Sequence, residues 1–365
     1  MGGRPIQVVA FTKYDRQAAS TRQRLLQYLP AFERAGIEIE YHPLLSNDYV
    51  RSLADGSSVS RASIARAYAR RLGQVAGVGR ADLLWVYAEL FPWLPAGFEK
   101  LLFRSGRPVI HDWDDAFFVP YDEARRPLVR RVLGGKLQTI LSRAAACTSG
   151  NEFLAVYARR FCDRTLVVPT VVDTDVYLPI DDLTLRPLTI GWIGSPTTWA
   201  NVRPLLPVLR EVTERFNLRF RVVGAGRQAE ADRFARMDLI EWSEASEVRD
   251  VQAMDIGIMP LTDAPFERGK SGYKLIQYMA CGLPVIASPV GVNSEIVLEG
   301  HTGFLAHDPP WWEARLVQLA NDALMRRRMG EAGRARAVER YSLASQAPRL
   351  IEIFRSVVEQ AERRR

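Results

Sequence analysis

Short apolar runs alternate with longer amphipathic stretches along this chain, a rhythm that predicts strands followed by helices. Ile6–Phe11 predicts a buried strand, Thr21–Ala35 an amphipathic helix stopped by Gly36, and Ile37–Tyr41 the next strand. Ser60–Gln74 predicts a basic helix, while Leu83–Tyr87 and Pro108–His111 predict further strands. Around Val168–Asp175 the rhythm breaks, with Pro and Asp punctuating the chain and Pro179 and Pro187 beyond, as at a domain junction. It restarts with strand Leu188–Ile193, helix Val202–Arg215 and strands Phe220–Val223 and Ile256–Met259. Repeated alternation of strand and helix predicts an α/β protein whose parallel sheets are joined by helical crossovers. A length of 365 residues exceeds what one hydrophobic core organises and suits two.

The run 266–305 carries the most chemistry, reading as loop, helix, strand and loop. Gly269 and Gly272 let backbone N–H groups approach a ligand, Lys270 and Lys274 bring positive charge, and Ser271 lies between them. The predicted helix Tyr273–Ala280 points its positive dipole end at the same place, as phosphate sites require. Gly282-Leu283-Pro284 stops the helix and feeds strand Val285–Ser288. Its residue order resembles the donor-site signature of the retaining glycosyltransferases of group 1, also called family 4. Met279-Ala280-Cys281-Gly282-Leu283-Pro284-Val285 matches the A-M-A-x-G-x-P-V element, and Gly291 to Glu295 matches the G-G-x-x-E turn. The two acids of that signature fall on Gly269 and Gln277, so the chain resembles a branch carrying G-K-x-G-x-K-x-x-Q-Y-M-A.

The resemblance implies the GT-B fold: two Rossmann-like domains with facing parallel sheets and a cleft between them. Residues 1–172 would form the acceptor-side domain, 173–341 the nucleotide-sugar-binding domain, and 342–365 a helix crossing back to the first. It implies transfer of a sugar from a nucleoside diphosphate donor to an acceptor hydroxyl with retention, in cell-surface glycan or glycoconjugate biosynthesis. The acceptor would be a glycan, a lipid-linked species or a small molecule. A nucleotide-sugar 2-epimerase of the same fold, or a catalytically degenerate nucleotide-sugar-binding protein, are the alternatives.

Gly194 and Ser195 follow a strand in a turn of small and hydroxyl residues, an anion-receiving geometry when it opens a helix. Common members place an arginine and a lysine in this turn. Here those positions are Ser195 and Ala200, and Lys270 and Lys274 are the expected replacements. Trp242 either stacks on the nucleobase or packs as an edge aromatic; Gln277 is expected to bond ribose or sugar hydroxyls, and the resemblance places Glu295 among the donor-binding residues.

In the first half, His111-Asp112-Trp113-Asp114-Asp115 ends a strand, where catalytic residues of α/β proteins collect. His111 or Asp112 is expected to face the sugar, with a nearby carboxylate such as Asp115 accepting the acceptor proton. Alternatively, Asp114 or Asp115 caps the next helix. Arg22 is expected to face the cleft and Arg24 solvent, and Glu89 to act as acceptor contact or base. Two lysines neutralise a diphosphate without metal, so neither metal nor cofactor is expected.

Charge bears on partners. Residues 1–172 hold 24 Lys and Arg against 16 Asp and Glu, a net +8, and the remainder nets −1. Arg125, Arg126, Arg130, Arg131 and Lys136 interleave with Leu128, Val129, Val132 and Leu133. Such a basic amphipathic surface suits peripheral contact with an anionic membrane, or is simply a solvated basic face. No nucleic-acid reading motif accompanies it. No stretch offers the roughly 18 apolar residues of a spanning helix, and the N-terminus lacks an apolar leader segment, so the cytoplasm is expected. Cys147, Cys162 and Cys281 are odd in number and read as small buried thiols.

Overall fold

The computed structural model describes residues 4–180 and 186–364, apart from the side chains of 53–55. Contacts divide the chain into two compact units: Met1–Thr170 with Arg268–Ser271 and Gln346–Arg365, and Val171–Glu267 with Gly272–Ser345.

The first unit is built on β1 (Ile6–Tyr14), β2 (Ile37–Leu45), β3 (Leu83–Tyr87), β4 (Val109–Trp113), β5 (Ala146–Ser149) and β6 (Thr165–Val167). They form one parallel sheet in the order β2-β1-β3-β4-β5-β6. β3 and β4 are buried along their whole length; β3 reads as an unbroken apolar run, as strands covered on both faces do, whereas β4 buries His111 and Asp112 among its apolar residues. Instead of one helix over 21–35, the chain makes helix Ala19–Arg24, a 3₁₀ turn Leu26–Tyr28 and helix Leu29–Arg34. Pro30, lacking an N–H, sits at the start of the last piece, where none is needed. The closing helix Leu343–Arg363 brings Phe354 into this core, 4.8 Å from the Phe32 ring and 5.0 Å from Trp85 between ring centroids.

The second unit carries β7 (Thr189–Ile193), β8 (Arg219–Val223), β9 (Met237–Ile240), β10 (Ile256–Met259), β11 (Val285–Ala287) and β12 (Gly303–Leu305). Their order is β12-β11-β10-β7-β8-β9, again parallel. The helix expected over 202–215 begins only at Leu206, after 3₁₀ turns Pro196–Asn201 and Arg203–Leu205. A doubly wound sheet offers its ligand site at the carboxyl edge where strand order reverses, here between β1 and β3 in one sheet and between β7 and β10 in the other. Among the described residues no helix is long and apolar enough to cross a membrane. All three cysteines are buried, and burial pushes the Cys281 thiol up to about 12.

Candidate functional site

In the second unit the carboxyl ends of β7 and β8 meet through two glycines. A Cβ on Gly194 would lie 2.4 Å from the Trp192 ring, and one on Gly224, whose φ is +79°, 2.4 Å from the Gly194 carbonyl. Ser195 and Thr198 cap the 3₁₀ helix Pro196–Asn201 reciprocally, the Ser195 N–H donating to Thr198 Oγ1 at 3.0 Å. This turn therefore satisfies its own N–H groups and opens a short 3₁₀ helix rather than the α-helix expected there.

Gly272 is the residue on which the loop before helix Tyr273–Ala280 turns. It precedes helix Tyr273–Ala280 with φ +68°, and a Cβ there would lie 2.3 Å from Ile296 Cδ1. Only glycine combines that backbone with that space. Lys274, in the first turn of the helix, holds its ammonium 5.6 Å from the Trp192 ring centroid. Glu295 lies exposed on the short helix Asn293–Ile296.

Gln277 departs from the sequence expectation. It is buried, and its Nε2 donates to Glu247 Oε1 and Tyr177 Oη, both at 2.9 Å. The Trp242 indole N–H donates to Glu247 Oε2 at 2.6 Å, and Tyr177 donates to Oε1 at 2.5 Å. Glu247 is thus the hub beneath a half-buried Trp242, and the Gln277 donor group is committed to it rather than open to sugar hydroxyls. Sequence reading missed Glu247 and Tyr177, which lie 30 and 100 residues from Gln277 in a solvent-like pattern.

In the first unit the His-Asp cluster is framework more than open surface. Asp112 is 1% exposed and accepts from Arg24 twice, Nη2 to Oδ1 at 2.5 Å and Nε to Oδ2 at 3.0 Å, and from Thr148 Oγ1 at 2.6 Å. Burial alone would weaken the Arg24 guanidinium's hold on its proton, but Asp112 outweighs it and the pKa rises. His111 is fully buried, its Nε2 2.8 Å from the Ala88 carbonyl, and burial lowers its pKa. Neither side chain is open to a sugar as expected, because β4 lies inside the sheet. Arg24, expected to face solvent, is inside, whereas Arg22, half-buried, donates to the carbonyls of Arg16 and Gln17 at 3.1 and 3.0 Å.

Asp114 is buried, accepts from Tyr87 Oη, and is pushed up to about 7, first by burial and then by the neighbouring Asp115 charge. Asp115 is partly exposed, 3.8 Å from Lys270 Nζ. Helix Val119–Asp122 starts at Phe118 without a side-chain cap, so neither aspartate caps it. Asn151, which sequence reading also missed, caps helix Glu152–Arg159 with its Oδ1. Its Nδ2 donates to the carbonyls of Gly269 and Lys270 at 2.9 and 3.1 Å. A Cβ on Gly269 would sit 2.5 Å from the Ala116 Cβ, so the Lys270 segment presses closely on the loop after β4. Ser271 is half-buried at the end of that segment. Glu89 is not free to act as a base: it is buried, accepting from Lys136 Nζ at 2.8 Å and Tyr121 Oη at 2.7 Å. Among the described residues no group of three His, Cys, Asp or Glu stands close enough to hold a metal ion.

Two doubly wound parallel sheets, with a glycine-hinged basic loop entering a helix in the second unit, define the fold of the GT-B glycosyltransferases. Solved structures bear this out: sucrose-phosphate synthase from Thermosynechococcus elongatus has a TM-score of 0.72 at 16% identity, covering 97% of this chain and 100% of its own. Anabaena HepE, solved in complex with UDP-glucose, has a TM-score of 0.73 at 13% identity, covering 96% of this chain and 100% of its own. Residues 187–322 match the family described as glycosyl transferases group 1. The α-maltose-1-phosphate synthase of Mycolicibacterium smegmatis is 40% identical over 90 residues, 22% of this chain and 23% of that protein. The D-inositol 3-phosphate glycosyltransferase of Stackebrandtia nassauensis is 26% identical over 275 residues, 65% of this chain and 59% of that protein. Residues 187–322 are therefore similar to the group 1 glycosyltransferases, and the chain spans about a quarter of the length of the first of these curated relatives.

Proposed function

We propose that this protein is a retaining glycosyltransferase that moves a sugar from a nucleoside diphosphate donor to an acceptor hydroxyl, in cell-surface glycan or glycoconjugate biosynthesis. The observation that carries the reading is Gly272. A left-handed residue with no room for a Cβ opens helix Tyr273–Ala280, placing its first turn and Lys274 at the positive end of the helix dipole. Lys270, four residues earlier in the chain, is the second positive charge of this glycine-bearing stretch of sequence. Such preorganised charge acts on the diphosphate as it leaves, when its negative charge grows. The reading assigns no resident metal or cofactor. The names of the curated relatives and the UDP-glucose complex of HepE support a nucleotide-sugar donor.

Calorimetry of the purified protein against UDP, GDP, ADP, dTDP and CMP, with and without EDTA, tests the donor. One nucleoside diphosphate is expected to bind selectively and to ignore chelation. Lys270→Ala is expected to lower transfer by roughly two to three orders of magnitude, the usual cost of one preorganised charge contact. Binding of none, or a Lys270→Ala variant with full turnover, sinks the reading; donor epimerised without acceptor identifies the 2-epimerase instead.

The same reading puts the protein in the cytoplasm, peripheral to the inner membrane face. Helix Pro127–Leu133 supports this: Leu128 is 73% and Val132 48% exposed, flanked by exposed Arg125, Arg126, Arg130 and Arg131.

A further inference from the structure

The segment that joins β3 to the next helix is held far more firmly than a surface connection needs. Glu99 accepts from the backbone N–H groups of Leu90 and Phe91 at 3.1 and 2.9 Å. Lys136, fully buried, lies 3.1 Å from Glu99 and 2.8 Å from Glu89, and donates to the Phe91 carbonyl at 2.5 Å. Tyr68 Oη donates to the Pro92 carbonyl at 2.6 Å. Residues 88–92 are all buried in consequence.

Trp93 ends this run and is 58% exposed. Its φ is +60°, as is that of Ala88 at the other end of the run. Left-handed backbone is uncommon for any residue with a Cβ and an outlier for a bulky one, and such conformations persist only where surrounding structure over-determines them. Tyr121 supplies that constraint. Its hydroxyl accepts the Trp93 N–H at 3.1 Å and donates to Glu89 at 2.7 Å, while its ring meets the indole at 5.2 Å and 77°. A buried Lys-Glu-Glu triad and two strained residues thus converge on the display of one large aromatic side chain. The display stands at the carboxyl end of β3, next to β1, where the order of the first sheet reverses and open α/β sheets bind ligands.

We propose that the exposed indole of Trp93 is a stacking platform for a pyranose ring of the acceptor. A sugar ring presents an apolar face of C–H groups that packs on an aromatic plane, and its hydroxyls demand one orientation, which a rigidly held ring provides. A bilayer would accept an indole in any orientation and needs no fixed backbone. The proposal rests on the glycosyltransferase reading for its ligand class. It assigns the acceptor subsite to the run that also holds Glu89, with Glu89 positioning Tyr121 rather than touching the sugar.

Saturation-transfer NMR of the full-length protein with methyl and octyl hexopyranosides and short maltooligosaccharides tests this, using wild type, Trp93→Phe and Trp93→Ala. Calorimetric binding of UDP is measured on the same samples. At least one pyranoside is expected to receive saturation in the wild type. Its dissociation constant should rise roughly tenfold in Trp93→Ala, about 1.4 kcal/mol, and by less in Trp93→Phe, with UDP binding and thermal midpoint unchanged. Equal pyranoside binding in Trp93→Ala, or none by the wild type, overturns the proposal. So does a variant that loses only binding to phosphatidylglycerol vesicles, which makes Trp93 a membrane anchor. Pyranoside binding without nucleotide binding leaves the platform standing and rejects the donor reading, so the two failures are distinct.

Discussion

Replacing Asp112 by Ala separates framework from chemistry in the first unit. The Arg24 guanidinium is 2% exposed and donates two hydrogen bonds to Asp112 and a third to the Val168 carbonyl at 2.8 Å. Removing the carboxylate strands a buried cation and leaves Thr148 Oγ1 without its acceptor. Breaking a buried pair from one side costs about 3–5 kcal/mol. For a unit of this size that corresponds to a fall of roughly 6–20 °C in thermal midpoint. The double variant Arg24→Met, Asp112→Leu removes both charges and is expected to recover most of the loss, since an apolar pair of similar volume often matches a buried ion pair. Calorimetric unfolding of the wild type, Asp112→Ala, Arg24→Met and the double variant closes the cycle. A midpoint unchanged in Asp112→Ala, with sugar transfer abolished in the folded variant, would refute the framework role and return Asp112 to the reaction.

Glu247→Ala leaves the Trp242 indole N–H, Tyr177 Oη and Gln277 Nε2 without their shared acceptor. It should destabilise the second unit by about 1–3 kcal/mol or more and weaken nucleotide binding; urea unfolding and calorimetry read the two effects, and an unaltered midpoint counts against the hub. Asp114 has its pKa raised to about 7, chiefly by burial, so the folded protein holds this proton more tightly than the unfolded chain. Its stabilising contribution is full below about pH 4 and lost as pH rises towards 7. Asp114→Asn should therefore gain relative to wild type across that window, and parallel midpoint–pH curves would count against the shift. Leu128→Glu with Arg131→Glu should abolish co-sedimentation with anionic vesicles and spare nucleotide binding; unchanged sedimentation removes the membrane contact.

Local pattern fixed what local physics decides. Strand Leu83–Tyr87, strand Ile256–Met259 and helix Tyr273–Ala280 appear with the boundaries their periodicity predicts, and Gly272 announces a turn that no residue with a Cβ could make. Strands such as β5 (Ala-Cys-Thr-Ser) and β9 (Met-Asp-Leu-Ile) were not legible, because polar residues break the short apolar run that marks the equally short β10. Candidate residues were legible by type and place on a strand end, but not by role. Asp112 meets Arg24 across 88 positions, Glu89 meets Lys136 across 47 and Gln277 meets Glu247 across 30. Strand order and helix packing bring those pairs together. A buried charge or amide must then take whichever partner the fold supplies, since leaving it unpaired is far more costly than any local preference. Sequence thus determined which segments carry chemistry, and tertiary structure decided which of their side chains remain available to a ligand.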